Sequence, residues 1–239
     1  MLEAVLFDLD DTLHDDTLAY RRAGERVAAD VAAERNVSAE RLFAAYIAEA
    51  DAFWAGLSSA NVGMPMVGLR AQMWLTALRA VGVEDEPLAV RCAAAYNAYR
   101  RDHLQLFPGA LELLGRLRAR GYKLGMITNG VAETHREKIV VLGLEEVFDE
   151  IFIADEVGLA KPDPRIFLLA AERLGVAPQR CAMVGDRYDR DVRGAQDAGM
   201  FTVFVNVRGE SIPAGSPAPS ATVETIVDVE AAIDRAHNG

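Results

Sequence analysis

Acidic side chains gather in two segments that lie far apart in the sequence. The first is FDLDDTL at 7–13, and the second is VGDRYDRD at 184–191. Carboxylates that share a confined site repel each other, and a divalent cation is the usual compensation. Because all of these donors are oxygen atoms, the pattern favours a hard ion, Mg²⁺ or Ca²⁺, over zinc. We interpret Asp8 and Asp186 as metal ligands through their side chains, and Asp10 as a metal ligand through its backbone carbonyl.

Two further segments carry groups suited to a dianionic ligand. ITNG at 127–130 ends an apolar run with Thr128 and Asn129, and AKPDP at 160–164 contains Lys161. A lysine supplies a point positive charge, while hydroxyl and amide groups donate hydrogen bonds to phosphate oxygens. We therefore predict that these three residues bind a phosphoryl group.

Asp8 and Asp10 could share the chemistry of phosphoryl transfer. With a metal ion opposite, the carboxylate of Asp8 could attack phosphorus in line and form an aspartyl-phosphate. Asp10 would protonate the leaving oxygen and then take a proton from the water that hydrolyses the intermediate. The pattern thus predicts a nucleophile, Asp8, followed two residues later by a general acid and base.

Short apolar runs typical of buried strands alternate with helical patterns over much of the chain, which predicts an α/β fold with a mainly parallel sheet. Ligands of such sheets bind beyond the carboxyl ends of the strands, where the polar segments described above lie. The predicted strands are 4–8, 123–128, 150–154, 180–186 and 201–206, and the predicted helices between them are 110–121, 164–175 and 190–199.

Residues 14–107 break this alternation, because they contain helical patterns and no convincing strand. We predict an inserted α-helical cap domain at 14–108 and a catalytic core formed by 1–13 and 109–239. The remaining predicted elements are helices at 39–57, 69–82, 87–107 and 223–236, a glycine- and proline-containing loop at 58–68, and a loop rich in proline, glycine and serine at 208–221.

Composition limits the partners of the protein. The 239 residues are 51% hydrophobic, and 25 basic against 36 acidic side chains give a net charge of −11. The chain lacks the basic footprint that nucleic acids require, and anionic membranes should repel it. The apolar run at the N-terminus is too short for a signal peptide or a membrane span. We expect a cytoplasmic protein, monomer or homodimer, whose partner is a small-molecule phosphate ester.

Cysteines and histidines add little to the predicted site. Cys92 and Cys181 stand in apolar surroundings, and two cysteines cannot build a disulfide framework or a four-ligand zinc site. We expect both to be buried thiols. His14 is predicted to be a surface or hinge residue, and His135 a solvated residue without a role.

The four polar segments occur in the order of the four motifs of the haloacid dehalogenase-like hydrolase superfamily, which the chain resembles. The inserted helices are similar to the α-helical cap of its phosphoglycolate-phosphatase and dehalogenase-like branch. The resemblance implies a Rossmann-like sheet in the order 5-4-1-2-3 and a Mg²⁺ cofactor. It also implies a role for each site residue: Asp8 as nucleophile, Asp10 as acid and base, Thr128 and Lys161 as phosphoryl-binding residues, Asp8 and Asp186 as Mg²⁺ ligands, and Asp191 as the acid that orients the metal's waters or Lys161.

Some choices stay open at this point. Asp189 stands in the same motif as Asp191 and could be the supporting acid.

Dehalogenases of the family lack an acid two residues after the nucleophile, and a halide, unlike an alkoxide, leaves without a proton. Asp10 therefore favours a phosphatase acting on a small phosphorylated metabolite, such as a sugar phosphate, a nucleoside monophosphate or a phosphoglycolate-like ester. The alternatives are a phosphomutase, a haloacid dehalogenase and a non-catalytic binding protein.

Overall fold

The computed structural model describes residues 1–55 and 66–238. The chain divides into two compact units, Met1–Asp15 with Gln105–Gly239 and Asp16–Leu104, which we call the sheet unit and the helical unit. The helices, in chain order, are α1 Asp16–Arg35, α2 Ala39–Ala55, α3 Met66–Ala80, α4 Glu86–Asp102, α5 Ala110–Ala119, α6 Ala132–Val141, α7 Ala154–Val157, α8 Pro164–Leu174, α9 Arg193–Asp197 and α10 Val229–Asn238.

A parallel sheet in the order β3-β2-β1-β4-β5-β6 forms the centre of the sheet unit. Its strands are β1 Ala4–Phe7, β2 Lys123–Thr128, β3 Glu150–Ile153, β4 Cys181–Gly185, β5 Phe201–Val205 and β6 Ala221–Val223. The first five strands follow the predicted order 5-4-1-2-3, so the predicted fold class is confirmed. The central strands β1 and β4 are buried along their whole length, as expected for a parallel sheet covered by helices on both faces.

The C-terminal prediction was partly wrong. The helix expected at 223–236 begins only at Val229, because residues 221–223 pair in parallel with β5 as a sixth strand. The β-branched side chains of Thr222 and Val223 suit a pleated strand. A short 3₁₀ turn at Ile226–Asp228 then leads into α10.

Two further helix predictions need correction. The helix expected at 190–199 starts as a π-helical turn at Tyr188–Val192 and continues as α9. The helix expected at 87–107 ends at Asp102. The loop expected at 58–68 lies mostly outside the described residues, and its last three residues belong to α3.

Helix α8 shows how local sequence sets an element that supports the site. The side chain of Asp163 accepts a hydrogen bond from the backbone N–H of Arg165, and Pro164 occupies the first turn, where its missing N–H costs nothing. Gly175 ends the helix in the left-handed conformation, φ 64°. These signals confirm the predicted start and end of this helix.

The helical unit has its own aromatic core. The ring of Trp74 is fully buried and stacks on Tyr46 at a centroid distance of 4.0 Å, and Tyr96 packs edge-on to the Trp74 ring. Cys92 belongs to this core, and Cys181 lies in β4; both are buried free thiols, as predicted. None of the described helices has the length and apolar composition to cross a membrane.

Candidate active site

Parallel pairing of β1 with β4 brings the two acidic segments to one edge of the sheet. Phe7 lies in register with Val184, and the N–H of Asp8 donates to the carbonyl of Val184 at 2.9 Å. Asp8 follows the last residue of β1, and Asp186 follows the last residue of β4. Both side chains therefore emerge side by side at the carboxyl end of the sheet, as expected from the alternating pattern.

Lys161 lies between two carboxylates of this cluster. Its Nζ atom is 2.6 Å from Oδ1 of Asp8 and 2.6 Å from Oδ1 of Asp191. All three side chains are buried. Burial alone would lower the pKa of Lys161, but the charges of Asp191 and Asp8 outweigh it and raise that pKa above its usual value. The two carboxylates therefore favour the charged form of Lys161.

Oxygens of Asp8, Asp186 and Asp191 lie within 4.8 Å of one another, a spacing that could hold one metal ion. Burial raises the pKa of Asp186 to about 9, and the neighbouring carboxylates of Asp8 and Asp191 add to the effect. Burial also raises the pKa of Asp8 to about 7, although Lys161 opposes this shift. The cluster holds more negative charge than its surroundings compensate, so its residues fit a hard divalent cation.

Asp189 and Asp191 differ in burial and in their distance from Lys161. The Asp189 side chain is 61% exposed and pairs only loosely with Arg187, whereas Asp191 is buried against Lys161. Oδ2 of Asp191 accepts a hydrogen bond from the Arg187 N–H at 2.9 Å. A Cβ atom at Gly185 would overlap the Asp191 carboxylate, so the glycine of this motif leaves the space that the acid occupies.

Asn129 and Thr128 lie next to the lysine. The Asn129 side chain donates through Nδ2 to the carbonyl of Lys161 at 2.8 Å and accepts from the Lys161 N–H at 2.9 Å. These two bonds tie the end of β2 to the loop that presents Lys161. Thr128 is the last residue of β2 and is buried. The phosphate-binding role of both residues stays a prediction.

Asp10 lies in a cluster of basic groups that sequence reasoning missed. Lys138 Nζ is 2.6 Å and 2.7 Å from its two carboxylate oxygens, His14 Nε2 is 2.8 Å from Oδ1, and His135 Nε2 is 3.3 Å from Oδ2. Burial of Asp10 would raise its pKa, but Lys138 and His135 outweigh this and hold the pKa well below its usual value.

This cluster corrects the predictions for two histidines. His14 is fully buried rather than a surface residue, and His135 is buried rather than solvated. His135 and Lys138 are three residues apart in α6, a spacing that places both on one face of a helix. That spacing was the available signal, but the sequence did not show which face of α6 meets the end of β1.

Two more residues next to the acidic cluster were missed. Thr12 Oγ1 lies 3.5 Å from an oxygen of Asp8 and 3.5 Å from one of Asp186. Arg208, from the loop after β5, pairs with Asp11, and its Nη1 atom lies 3.8 Å from Oδ2 of Asp186. The sequence marked this loop only by its proline, glycine and serine content.

The arrangement agrees with comparisons to known proteins. The family model of the haloacid dehalogenase-like hydrolases matches residues 2–199, which include all four polar segments. The chain belongs to this family. It is therefore a hydrolase of the haloacid dehalogenase-like type, and the predicted recognition is confirmed.

Named relatives of this haloacid dehalogenase-like hydrolase include phosphatases and a dehalogenase. It is 36% identical over 209 residues to the glyceraldehyde 3-phosphate phosphatase of Methanopyrus kandleri, covering 86% of this chain and 84% of that protein. It is 36% identical over 223 residues to the phosphoserine phosphatase of Thermus thermophilus, covering 86% and 89%. The 2-haloacid dehalogenase of Pseudomonas syringae pv. Tomato DC3000 superposes with a TM-score of 0.67 at 30% identity, covering 98% and 99%.

Proposed function

We propose that this hydrolase is a Mg²⁺-dependent phosphatase that hydrolyses a small phosphorylated metabolite through an aspartyl-phosphate. The observation that carries the proposal is the position of Lys161 between Asp8 and Asp191, with Asp186 beside them. A buried cation next to a buried carboxylate suits a dianionic phosphoryl group that approaches Asp8. The two phosphatase relatives support a small phosphate ester as the substrate.

Asp8, Asp186 and the backbone carbonyl of Asp10 would hold the Mg²⁺ ion, and Asp191 would orient its waters or Lys161. When bound, the ion neutralises the crowded carboxylates and the charge on the phosphoryl oxygens. Lys161 binds the phosphoryl group from the other side, and we assign Thr128 and Asn129 to the same group.

The reaction has two steps in this proposal. An oxygen of Asp8 attacks phosphorus and forms an O–P bond, while the bond between phosphorus and the ester oxygen breaks and Asp10 gives that oxygen a proton. Asp10 then takes a proton from water, which attacks phosphorus and releases inorganic phosphate and the Asp8 carboxylate. The basic groups around Asp10 favour its carboxylate form, which the second step needs. The proton that Asp10 takes from water in the second step is the one that it gives to the ester oxygen in the first step of the next turnover.

The proposal includes a division of the chain into a catalytic core and a cap domain. Residues 1–13 and 109–239 form the catalytic core, and residues 14–108 form a cap whose side chains select the leaving group. In this view the core accounts for the chemistry and the cap accounts for the choice of metabolite.

A dehalogenase is the second candidate, because the Pseudomonas syringae relative carries that name. The position of Asp10 against Lys138 and His135 favours the phosphatase, since displacement of a halide needs no acid at this place. Halide release from 2-chloropropionate without phosphatase activity would replace the proposed function with this one.

The experiment that tests the proposal measures phosphate release from p-nitrophenyl phosphate, glyceraldehyde 3-phosphate and phosphoserine, with Mg²⁺ and with a chelator. We expect turnover that requires Mg²⁺ and is lost in Asp8→Asn. The matched control is Asp189→Asn, which removes an exposed carboxylate from the same motif and should retain activity. Phosphate release that survives in Asp8→Asn would rule out the nucleophile.

A further inference from the structure

We propose that Lys138, supported by His135, is a positioning residue that holds the Asp10 carboxylate in the orientation needed for both proton transfers; this inference rests on the proposed function. The contacts on which the inference rests join both residues to the side chain of Asp10. Both act on the reaction only through Asp10.

The contacts of Lys138 determine where the Asp10 carboxylate points. Its Nζ atom reaches both oxygens, at 2.6 Å and 2.7 Å, so the ammonium group sits across the carboxylate rather than at one end. His14 contacts Oδ1 and His135 contacts Oδ2, so each oxygen has two basic neighbours. A carboxylate held at both oxygens by buried partners has little freedom to rotate.

The burial of the four side chains shows which of them is accessible. The side chains of Lys138, His135 and His14 are 2%, 4% and 0% exposed, whereas that of Asp10 is 27% exposed. The basic groups therefore lie behind the carboxylate, and Asp10 is the member that a reacting group can reach. The three basic side chains thus support the carboxylate from its buried side.

The local backbone is adapted to this cluster. A Cβ atom at Gly130 would overlap the imidazole ring of His135, so the glycine that follows Thr128 and Asn129 makes room for that ring. The same motif that presents the phosphoryl-binding threonine thus also permits the support of Asp10. A lysine that is nearly fully buried loses hydration, and a hydrophobic residue of similar length would fill the space at less cost. The position of the charge, more than packing, accounts for its presence.

Two substrates whose leaving groups differ in basicity distinguish a positioning role of Lys138 from a purely structural role. p-Nitrophenolate leaves without a proton, whereas the alkoxide of glycerol phosphate needs the proton of Asp10. In Lys138→Met we expect p-nitrophenyl phosphate to give a burst of about one p-nitrophenolate per enzyme, followed by steady-state turnover slowed by ~10²-fold, because water attack still needs Asp10 as a base. Glycerol phosphate should lose ~10²-fold or more in kcat and show no burst, with little change in KM.

The controls use the same helix and the same position. Arg136→Gln removes the exposed ion pair of α6 with Glu156 and should leave both substrates unaffected. Lys138→Arg, which keeps the charge, should recover part of the glycerol phosphate activity. If the methionine variant does not fold, Lys138→Gln takes its place, because glutamine keeps a hydrogen-bond donor to Asp10 but removes the charge. It should show the same difference between p-nitrophenyl phosphate and glycerol phosphate as expected for Lys138→Met.

A double-mutant cycle gives the deciding comparison. If Lys138 acts through Asp10, Lys138→Met should cause no further loss of glycerol phosphate turnover in an Asp10→Asn background. The melting temperature of the metal-free protein supplies a readout besides activity, since the shift caused by Lys138→Met should differ between the two backgrounds. Equal loss on both substrates without a burst, or additive effects of the two substitutions, would overturn the inference. The proposed function fails separately, if the unmodified protein releases phosphate from neither substrate.

Discussion

Lys161 Nζ lies 2.6 Å from a carboxylate oxygen of Asp8, and the two residues are 153 positions apart in the chain. The same nitrogen is equally close to Asp191. These three buried side chains join the ends of β1 and β4 to the loop before α8. A change in any one of the three segments should therefore alter the contacts of the other two.

Replacement of Lys161 should destabilise the metal-free protein. Lys161→Met leaves Asp8 and Asp191 buried without their counter-charge, and breaking such a pair typically costs about 3–5 kcal/mol in the free energy of unfolding. Urea denaturation of the two proteins measures the difference. The exposed Lys123 on the other end of β2 is the control position, and an equal small loss for Lys123→Met and Lys161→Met would contradict the account.

The metal-free protein should lose stability as the pH rises from 5 to 8. The pKa of Asp186 is raised from 3.8 to about 9 in the folded state. In this window the folded state keeps a proton that the unfolded state has released, so the free energy of unfolding falls, at most by about 1.4 kcal/mol per pH unit and per proton. Denaturation at several pH values with a chelator checks this.

Magnesium and the substitution Asp186→Asn should each change the pH dependence of the free energy of unfolding. The asparagine variant lacks the titrating group, so its pH dependence should be flatter. Saturating Mg²⁺ stabilises the ionised carboxylates of Asp8 and Asp186 and should raise stability most at the higher pH values. A metal-free stability that increases steadily between pH 5 and 8 would contradict the assignment.

A methyl group at Gly185 should disturb the site. Gly185→Ala places a Cβ atom where the Asp191 carboxylate lies, so Asp191 must move away from Lys161. We expect a loss of activity on the order of 10-fold or more, because displacement of a positioned group costs much of its effect. The control is Gly115→Ala in α5, which has open space around it and should stabilise the protein by about 0.5–1 kcal/mol. Full activity of Gly185→Ala would show that the position of Asp191 is unimportant.

Removal of Arg208 should strengthen metal binding. Its guanidinium lies 3.8 Å from an oxygen of Asp186 and competes with a cation for that carboxylate. Because Arg208 is partly exposed, Arg208→Gln should lower the apparent Kd for Mg²⁺ by only about 3-fold, equivalent to roughly 0.6 kcal/mol. Titration calorimetry measures this Kd. Weaker binding in the variant would contradict the prediction and would indicate that Arg208 helps to hold the carboxylates in place.

The first five strands could be predicted from sequence because parallel strands covered on both faces need continuous apolar runs. Their order in the sheet was implied only by the resemblance to the haloacid dehalogenase-like hydrolases. The same logic placed Asp8 and Asp186 at one edge, since residues that directly follow such runs emerge together. Lys161 was expected at the same edge because it lies in the loop after the third strand. The sixth strand at 221–223 was missed because three residues after a loop carry no periodic signal, and only pairing with β5 makes them a strand.

The amino-acid sequence by itself determined the α/β class, the order of the acidic and phosphoryl-binding segments and the family, since these depend on local pattern and on residue spacing. Only the tertiary structure decided that Asp191 rather than Asp189 faces Lys161, and that Lys138, His135 and His14 surround Asp10. These contacts join side chains of separate elements. Their distances depend on how α6 and the π-helical turn pack against the sheet, which no local pattern of residues encodes.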